Sequence, residues 1–342
     1  IAVGNISNCE NHAEVKGTRS LGGILGMYYG SDNSITSCAN YGAVTGTYSQ
    51  VGGMVGYFDS GTIQNSANYG DITGKDNVGN LIGEGVICNL NNVLGTGNVT
   101  ATSDTERAGL FVGRISKSSS AASGILAYNS SAKLTINGAE QTGEAVKAIG
   151  EGSLTYPEGV NEADVIKAFT AEQLKSGEVA YLLAEGKVLG EQVWGQQLGK
   201  DQYPVPGSDY KVIKAAQGDK DANGNYTYWA TFSNQTNDVT LSVPSESGRT
   251  LNVYNATVSG GKLTLTQRNN QVAKEEGVLL KTDGEYVNAK ANKTNELAKA
   301  SSDENHLVAT PAEAQTVTAE TGYILYRLTY KNDRKEGLGF YL

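Results

Sequence analysis

A chain of 342 residues with 39% hydrophobic content is long enough for two or three domains, and 43 glycines against 5 prolines and 18% charged residues exclude a disordered polymer. A net charge of −9 with no stripe of Lys and Arg argues against nucleic acid as a partner. No apolar run approaches the roughly 18 residues of a membrane span, and the 3 cysteines and 2 histidines lack zinc-ligand spacing, so no metal and no cofactor is expected.

The chain opens on Ile1, inside a repeat, and reads as a mature or trimmed form whose targeting segment has been removed. Three segments superimpose almost residue for residue: Ile6 to Gly17, Ile35 to Gly46 and Ile63 to Gly74, with a weaker copy from Leu90 to Val99. Each is followed by a glycine-aliphatic block: Gly22-Gly23-Ile24-Leu25-Gly26, Gly52-Gly53-Met54-Val55-Gly56, Gly79-Asn80-Leu81-Ile82-Gly83 and Gly109-Leu110-Phe111-Val112-Gly113. The column Val15, Val44, Ile72, Val99 is spaced by 29, 28 and 27 residues. Apolar segments this short, broken by glycine, cannot build an amphipathic helix but suit brief strands joined by tight corners. Residues 1–138 are therefore expected to form a right-handed parallel β-helix, a solenoid of about five coils of about 28 residues. Residues in one column should then stack at about 4.8 Å. Ile6, Ile35, Ile63 and Leu90 make one inward ladder, and the Val15 column makes another. Cys9, Cys38, Ser66 and Val93 make a third, with buried free thiols favoured over a Cys9–Cys38 disulfide because stacked side chains point the same way. Asn11, Asn40 and Asn68 predict an asparagine ladder at a corner. The glycine pairs are expected to supply positive φ at a second corner.

This block pattern resembles the Glug-type repeats of bacterial surface and secreted proteins, whose core is Gly-Gly-aliphatic-aliphatic-Gly. Asn80 departs from that core at the second glycine of the third copy. The resemblance implies a parallel β-helix on a cell surface or outside the cell, and it implies no reaction.

Repetition fades after Ile136, and residues 139–208 read as a junction or capping segment. Thr170-Ala-Glu-Gln173 is a capping box that should open one short helix, and Ser176-Gly-Glu-Val179 should open a second. The "SGEVAYLL" helix and the Trp194-to-Pro204 segment resemble junctions that follow Glug-like repeats in Bacteroidetes surface proteins. Residues 209–342 alternate apolar and polar positions between Gly, Asn, Asp and Ser turns, for example at Thr227–Phe232, Val239–Val243, Gly277–Leu280 and Gly322–Leu328, which predicts an antiparallel β-sandwich. The "YWATFSN" and "EEGVLLK" residues resemble the β-sandwich module closing many such proteins. Asp219 to Asn225 looks like the start of a calcium loop, lacks its late Glu, and reads as a hairpin turn.

Catalytic groups are sparse. β-Helices often carry polysaccharide lyases and hydrolases, and Glu14 and Asp71 lie in one outward column, two coils or about 10 Å apart, compatible with an inverting pair and equally with two solvated side chains. His12 is a conceivable acid/base, but its column continues as Tyr41 and Tyr69, which predicts an aromatic stack on the solenoid rim. Tyr57 and Phe58, with Tyr28 and Tyr29, predict a second aromatic cluster, able to bind sugar rings or simply to cover a corner. The expected function is non-enzymatic: an adhesin-like protein that binds a glycan or an extracellular protein through Tyr41, Tyr69, Tyr57, Phe58 and His12. Weighed beside it are a β-helix carbohydrate-active enzyme and a structural spacer.

Overall fold

The computed structural model describes residues 4–307, except 32, 186, 188, 246 and 247, together with residue 309 and the strands at 327–331 and 337–341. Two compact units are present. One comprises 1–174 with 182–185 and 204–207, and the other 175–181, 186–203 and 208–342.

In the first unit the repeat columns are parallel ladders in register. Ile6, Ile35, Ile63, Leu90 and Ala122 pair in succession, as do Val15, Val44, Ile72, Val99 and Leu134. A third ladder joins Leu21, Val51, Val78 and Ala108, and a fourth joins Leu25, Val55, Ile82, Val112 and Ile149. Five rungs bound four complete turns, slightly fewer than the five coils expected. Ile35, Ile63, Val44, Ile72, Val55 and Ile82 are fully buried within one continuous core, so each coil covers the apolar face that its neighbour could not hide alone. Parallel pairing also runs past residue 138: Val112 meets Ile149, and Leu126–Asn129 meets Ile166–Phe169.

The corners work differently from the expectation. Left-handed backbone falls on Asn8, Ser37, Asn65 and Asn92, with φ of 54°, 54°, 48° and 48°, and again on Ser20, Gln50 and Asn77. Asn tolerates this region because its short side chain bonds locally. The glycine pairs do not adopt it; they are required by crowding. A Cβ on Gly52 would sit 2.2 Å from the Val55 carbonyl oxygen and 2.6 Å from the Gly83 nitrogen, where only glycine lets one coil lie so close on the next.

At Thr170, the backbone N–H donates to Gln173 Oε1 (3.0 Å) and Thr170 Oγ1 accepts from the Gln173 N–H (3.2 Å), so the predicted capping box opens the helix Ala171–Ser176. The second helix is Glu178–Leu183. In the second unit two antiparallel sheets share a core. One runs in the order Tyr210–Lys214, Tyr286–Ala291, Val239–Ser242, Gln271–Val272. The other runs Ala216–Lys220, Tyr226–Ser233, Gly277–Thr282, Leu251–Ser259, Lys262–Arg268. Phe232, Leu241, Val253, Val278 and Leu280 fill the space between them. The Trp194 segment is tied to this sandwich: Asn288 accepts from the Leu198 N–H (2.8 Å) and donates to the Gln196 carbonyl (2.6 Å). Asp221 accepts from the N–H groups of Asn223 and Asn225, both at 2.9 Å, closing the predicted hairpin turn. Arg327–Lys331 pairs antiparallel with Gly337–Tyr341; most of the expected strand from Gly322 to Leu328 lies outside the described residues.

Candidate functional site

Parallel register dictates the geometry of the rim. His12 and Tyr41 stack with ring centroids 4.4 Å apart and planes 5° from parallel, and Tyr41 and Tyr69 follow at 4.7 Å and 19°. These separations are the coil spacing itself. Tyr69 also donates its hydroxyl to the Pro204 carbonyl (2.5 Å), and the column ends at buried Thr96. His12 stays at the exposed end, its Nε2 3.0 Å from Glu10 Oε2. Both faces of the Tyr41 ring are used, by His12 and by Tyr69, so Tyr41 presents an edge to solvent rather than a platform for a sugar.

The second cluster divides by strand pleat. Phe58, expected on the rim with Tyr57, is instead fully buried, as is Tyr28; the two rings meet in the core at 5.5 Å. Successive strand residues point to opposite faces, and here Phe58 is the inward one of the adjacent pair. Tyr57 is the outward member, and its ring lies 5.4 Å from that of Tyr29, which is 38% exposed. Burial, followed by the nearby Asp59, Tyr29 and Glu84, pushes the Tyr57 hydroxyl pKa up.

Tyr57 opens onto a network that the residues did not announce. In register along the outward column are Met27, Tyr57, Glu84, Arg114 and Glu151. Arg114 donates from Nη1 to Glu84 (2.9 Å) and from Nε to Glu151 (3.1 Å), and Arg107 Nε donates to Glu151 (2.6 Å). Glu84 further accepts from Gln50 Nε2 (2.8 Å) and Asn77 Nδ2 (2.7 Å). The Arg107 hydrogen bond, helped by Arg114, holds the Glu151 carboxyl below the usual range. Every member of the column follows a glycine, the last of its block at Gly26, Gly56, Gly83 and Gly113 and then Gly150. That shared offset was the available signal, obscured because the column changes residue type at almost every rung.

Glu14 and Asp71 do not act as a pair in this structure. Glu14 bonds Lys16 (2.8 Å), and Asp71 Oδ1 accepts from the N–H (2.8 Å) and Nδ2 (3.0 Å) of Asn98 in the next coil. Among the described residues, no group of three metal-ligating side chains converges and no helix is long and apolar enough to cross a membrane.

All three cysteines are free thiols: Cys9 exposed, Cys38 and Cys88 buried. Burial pushes the Cys38 thiol up and the Cys88 thiol up to about 12. One rapid equivalent should therefore react with a thiol reagent in the native protein and three after unfolding; three rapid native equivalents would contradict this burial. Because the unfolded Cys88 releases its proton near the ordinary value of 9.0 while the folded one holds it to about 12, this group's stabilisation is complete below pH 9 and is lost as pH rises through that window.

No family model and no curated protein matches the chain. A solved structure from Bacteroides ovatus, provisionally named an immunoglobulin A1 protease, aligns over 59% of this chain and 57% of its own length, at 20% identity and a TM-score of 0.45. This chain thus spans a little over half of that protein.

Proposed function

We propose that this protein is a non-enzymatic, adhesin-like binder acting at the outer cell surface or outside the cell, and that the solenoid face around Tyr29 and Tyr57 holds a glycan. One observation carries the reading: two outward tyrosine rings, 5.4 Å apart, adjoin a fixed array of planar hydrogen-bonding groups on the same column. Sugars need that combination, an apolar ring for their C–H face and oriented donors and acceptors for their hydroxyls. The arginine-tied carboxylates favour binding over acid/base chemistry, since Glu84 and Glu151 are each paired with a guanidinium and the Glu151 carboxyl is held below the usual range.

A glycan array, with extracellular matrix proteins beside it, tests this directly. Tyr29→Ala/Tyr57→Ala should weaken the best ligand by about tenfold or more, while Tyr41→Ala, an edge-on ring in the other stack, should leave it within about twofold. Undiminished binding by the Tyr29/Tyr57 double variant would remove this face as the site.

A further inference from the structure

The five-stranded sheet of the sandwich ends on the strand Lys262–Arg268, which pairs only with Leu251–Ser259. Gly260 and Gly261, with φ of 58° and 74°, make the two-residue turn between them, so Ser259 and Lys262 form a hydrogen-bonded pair. Bonded and non-bonded pairs then alternate, which turns the N–H and C=O groups of Leu263, Leu265 and Gln267 to the open edge. The neighbouring strand has the same phase: Ala256 and Val258, opposite Leu265 and Leu263, turn their backbone the other way, to Asn305 and His306. Sheet edges are usually guarded by a proline, a bulge or covering chain. Among the described residues this edge has none of them, and Val258 and Leu263 form a cross-strand apolar pair, 40% and 39% exposed.

Pleating gives the two faces of this strand different chemistry. Leu263 and Leu265 lie on the outer face, while Lys262, Thr264, Thr266 and Arg268 share the inner one with the core residue Val253. On the inner face a cavity of about 490 Å³ is lined in part by Thr266, Arg268, Asp303 and Glu304. Arg268 is paired with Glu276, and Glu304 accepts from Ser301 Oγ (2.9 Å). Asp303 and the Lys262 side chain form no hydrogen bond or ion pair among the described residues.

From this edge we infer that the chain forms a two-fold dimer, in which the Lys262–Arg268 strands of two copies pair antiparallel about Thr264. In that register Leu263 of each copy exchanges both backbone bonds with Leu265 of the other, and the leucines meet on the outer face. Lys262 falls opposite Thr266, so its ammonium reaches the cavity of the second copy and meets the Asp303 carboxylate there. Centring the pair on Leu265 instead sets Lys262 against Arg268, a like-charge pair that opposes that register. The complementarity of Lys262 and Asp303 favours a second copy over an unrelated strand on the same edge. The interface belongs to the sandwich unit and is separate from the proposed solenoid face.

Sedimentation equilibrium of the full chain should show a monomer–dimer equilibrium. Lys262→Glu should raise its dissociation constant at least about tenfold, and Lys262→Glu/Asp303→Lys should restore it to within about threefold. Both positions are exposed, so the melting temperature should not change. Register is read separately by oxidation in a Cys9→Ser background, which removes the exposed thiol. Thr264→Cys should give a covalent dimer, because a non-bonded antiparallel pair brings its Cα atoms to about 4.5 Å. Thr266→Cys, opposite Lys262 in this pairing, should not. A chain that stays monomeric to about 500 μM overturns the proposal, as does an open-ended series of larger species. So does a dimer that Lys262→Glu leaves intact, additive losses in the charge-swapped double variant, or cross-linking through Thr266→Cys rather than Thr264→Cys.

Discussion

Asn68→Ala is expected to destabilise the solenoid by about 3 kcal/mol or more. Asn68 is fully buried, and its amide is shared between coils. It donates to the Gly70 carbonyl (2.8 Å) and to Asn80 Oδ1 (3.1 Å), and it accepts from Asn40 Nδ2 (2.6 Å). Alanine removes all of these and leaves polar partners in a dry corner, each costing about 1–3 kcal/mol when unpaired. Asn11→Ala is the control: Asn11 caps the outer end of the same ladder, where its bonds to Ala13 and Asn40 are only partly buried, and water can replace it for under about 1 kcal/mol. Thermal melts of the two variants check the contrast. Equal, small shifts would mean that the buried amides contribute no more than exposed ones.

The sequence made these columns legible wherever identity repeated. Spacing alone places Ile6, Ile35, Ile63 and Leu90 in one ladder, and they pair in that register. Asn11, Asn40 and Asn68 likewise form a bonded ladder. Legibility failed where a position was conserved in role but not in type. The left-handed corner is Asn8, Ser37, Asn65, Asn92, and then Gly124, a column that spacing contains but that glycine counting passes over. It failed also where a single residue sets parity. Tyr57 and Phe58 are equally aromatic, and only the phase of the strand Val55–Gln64 decides which of them enters the core, so a rim made of both misplaces Phe58. Trp229 shows the same limit from the other side: the alternation around it was visible, yet which parity faced the second sheet depended on Leu241, Val253 and Val278, far away in the chain.

The strongest expected coupling lies at the one glycine block that breaks its own pattern. In the first two blocks the second glycine is forced by an asparagine of the next coil: a Cβ on Gly23 would sit 2.2 Å from Asn40 Cγ, and one on Gly53 would sit 2.2 Å from Asn68 Cγ. In the third block the residue is Asn80, and the next position of the asparagine ladder, paired with Asn68, is Gly95. The two residue types have exchanged places. Asn80 fills the vacated position, accepting from Asn68 (3.1 Å) and donating to the Gly97 carbonyl (2.7 Å), as each ladder asparagine donates to the carbonyl two residues beyond it. Gly95→Asn alone should therefore cost about 3 kcal/mol or more, because the three atoms nearest a Cβ there, at 2.6, 3.0 and 3.5 Å, all belong to the Asn80 side chain. Asn80→Gly alone should cost about 2 kcal/mol by stranding the amides of Asn68 and the carbonyl of Gly97. Combined, Asn80→Gly/Gly95→Asn restores the arrangement of the first two coils, and a double-mutant cycle should return a favourable coupling of about 2 kcal/mol or more. Simple additivity would mean that the amide's origin matters as much as its location, and that Asn80 is held by something other than the gap above Gly95.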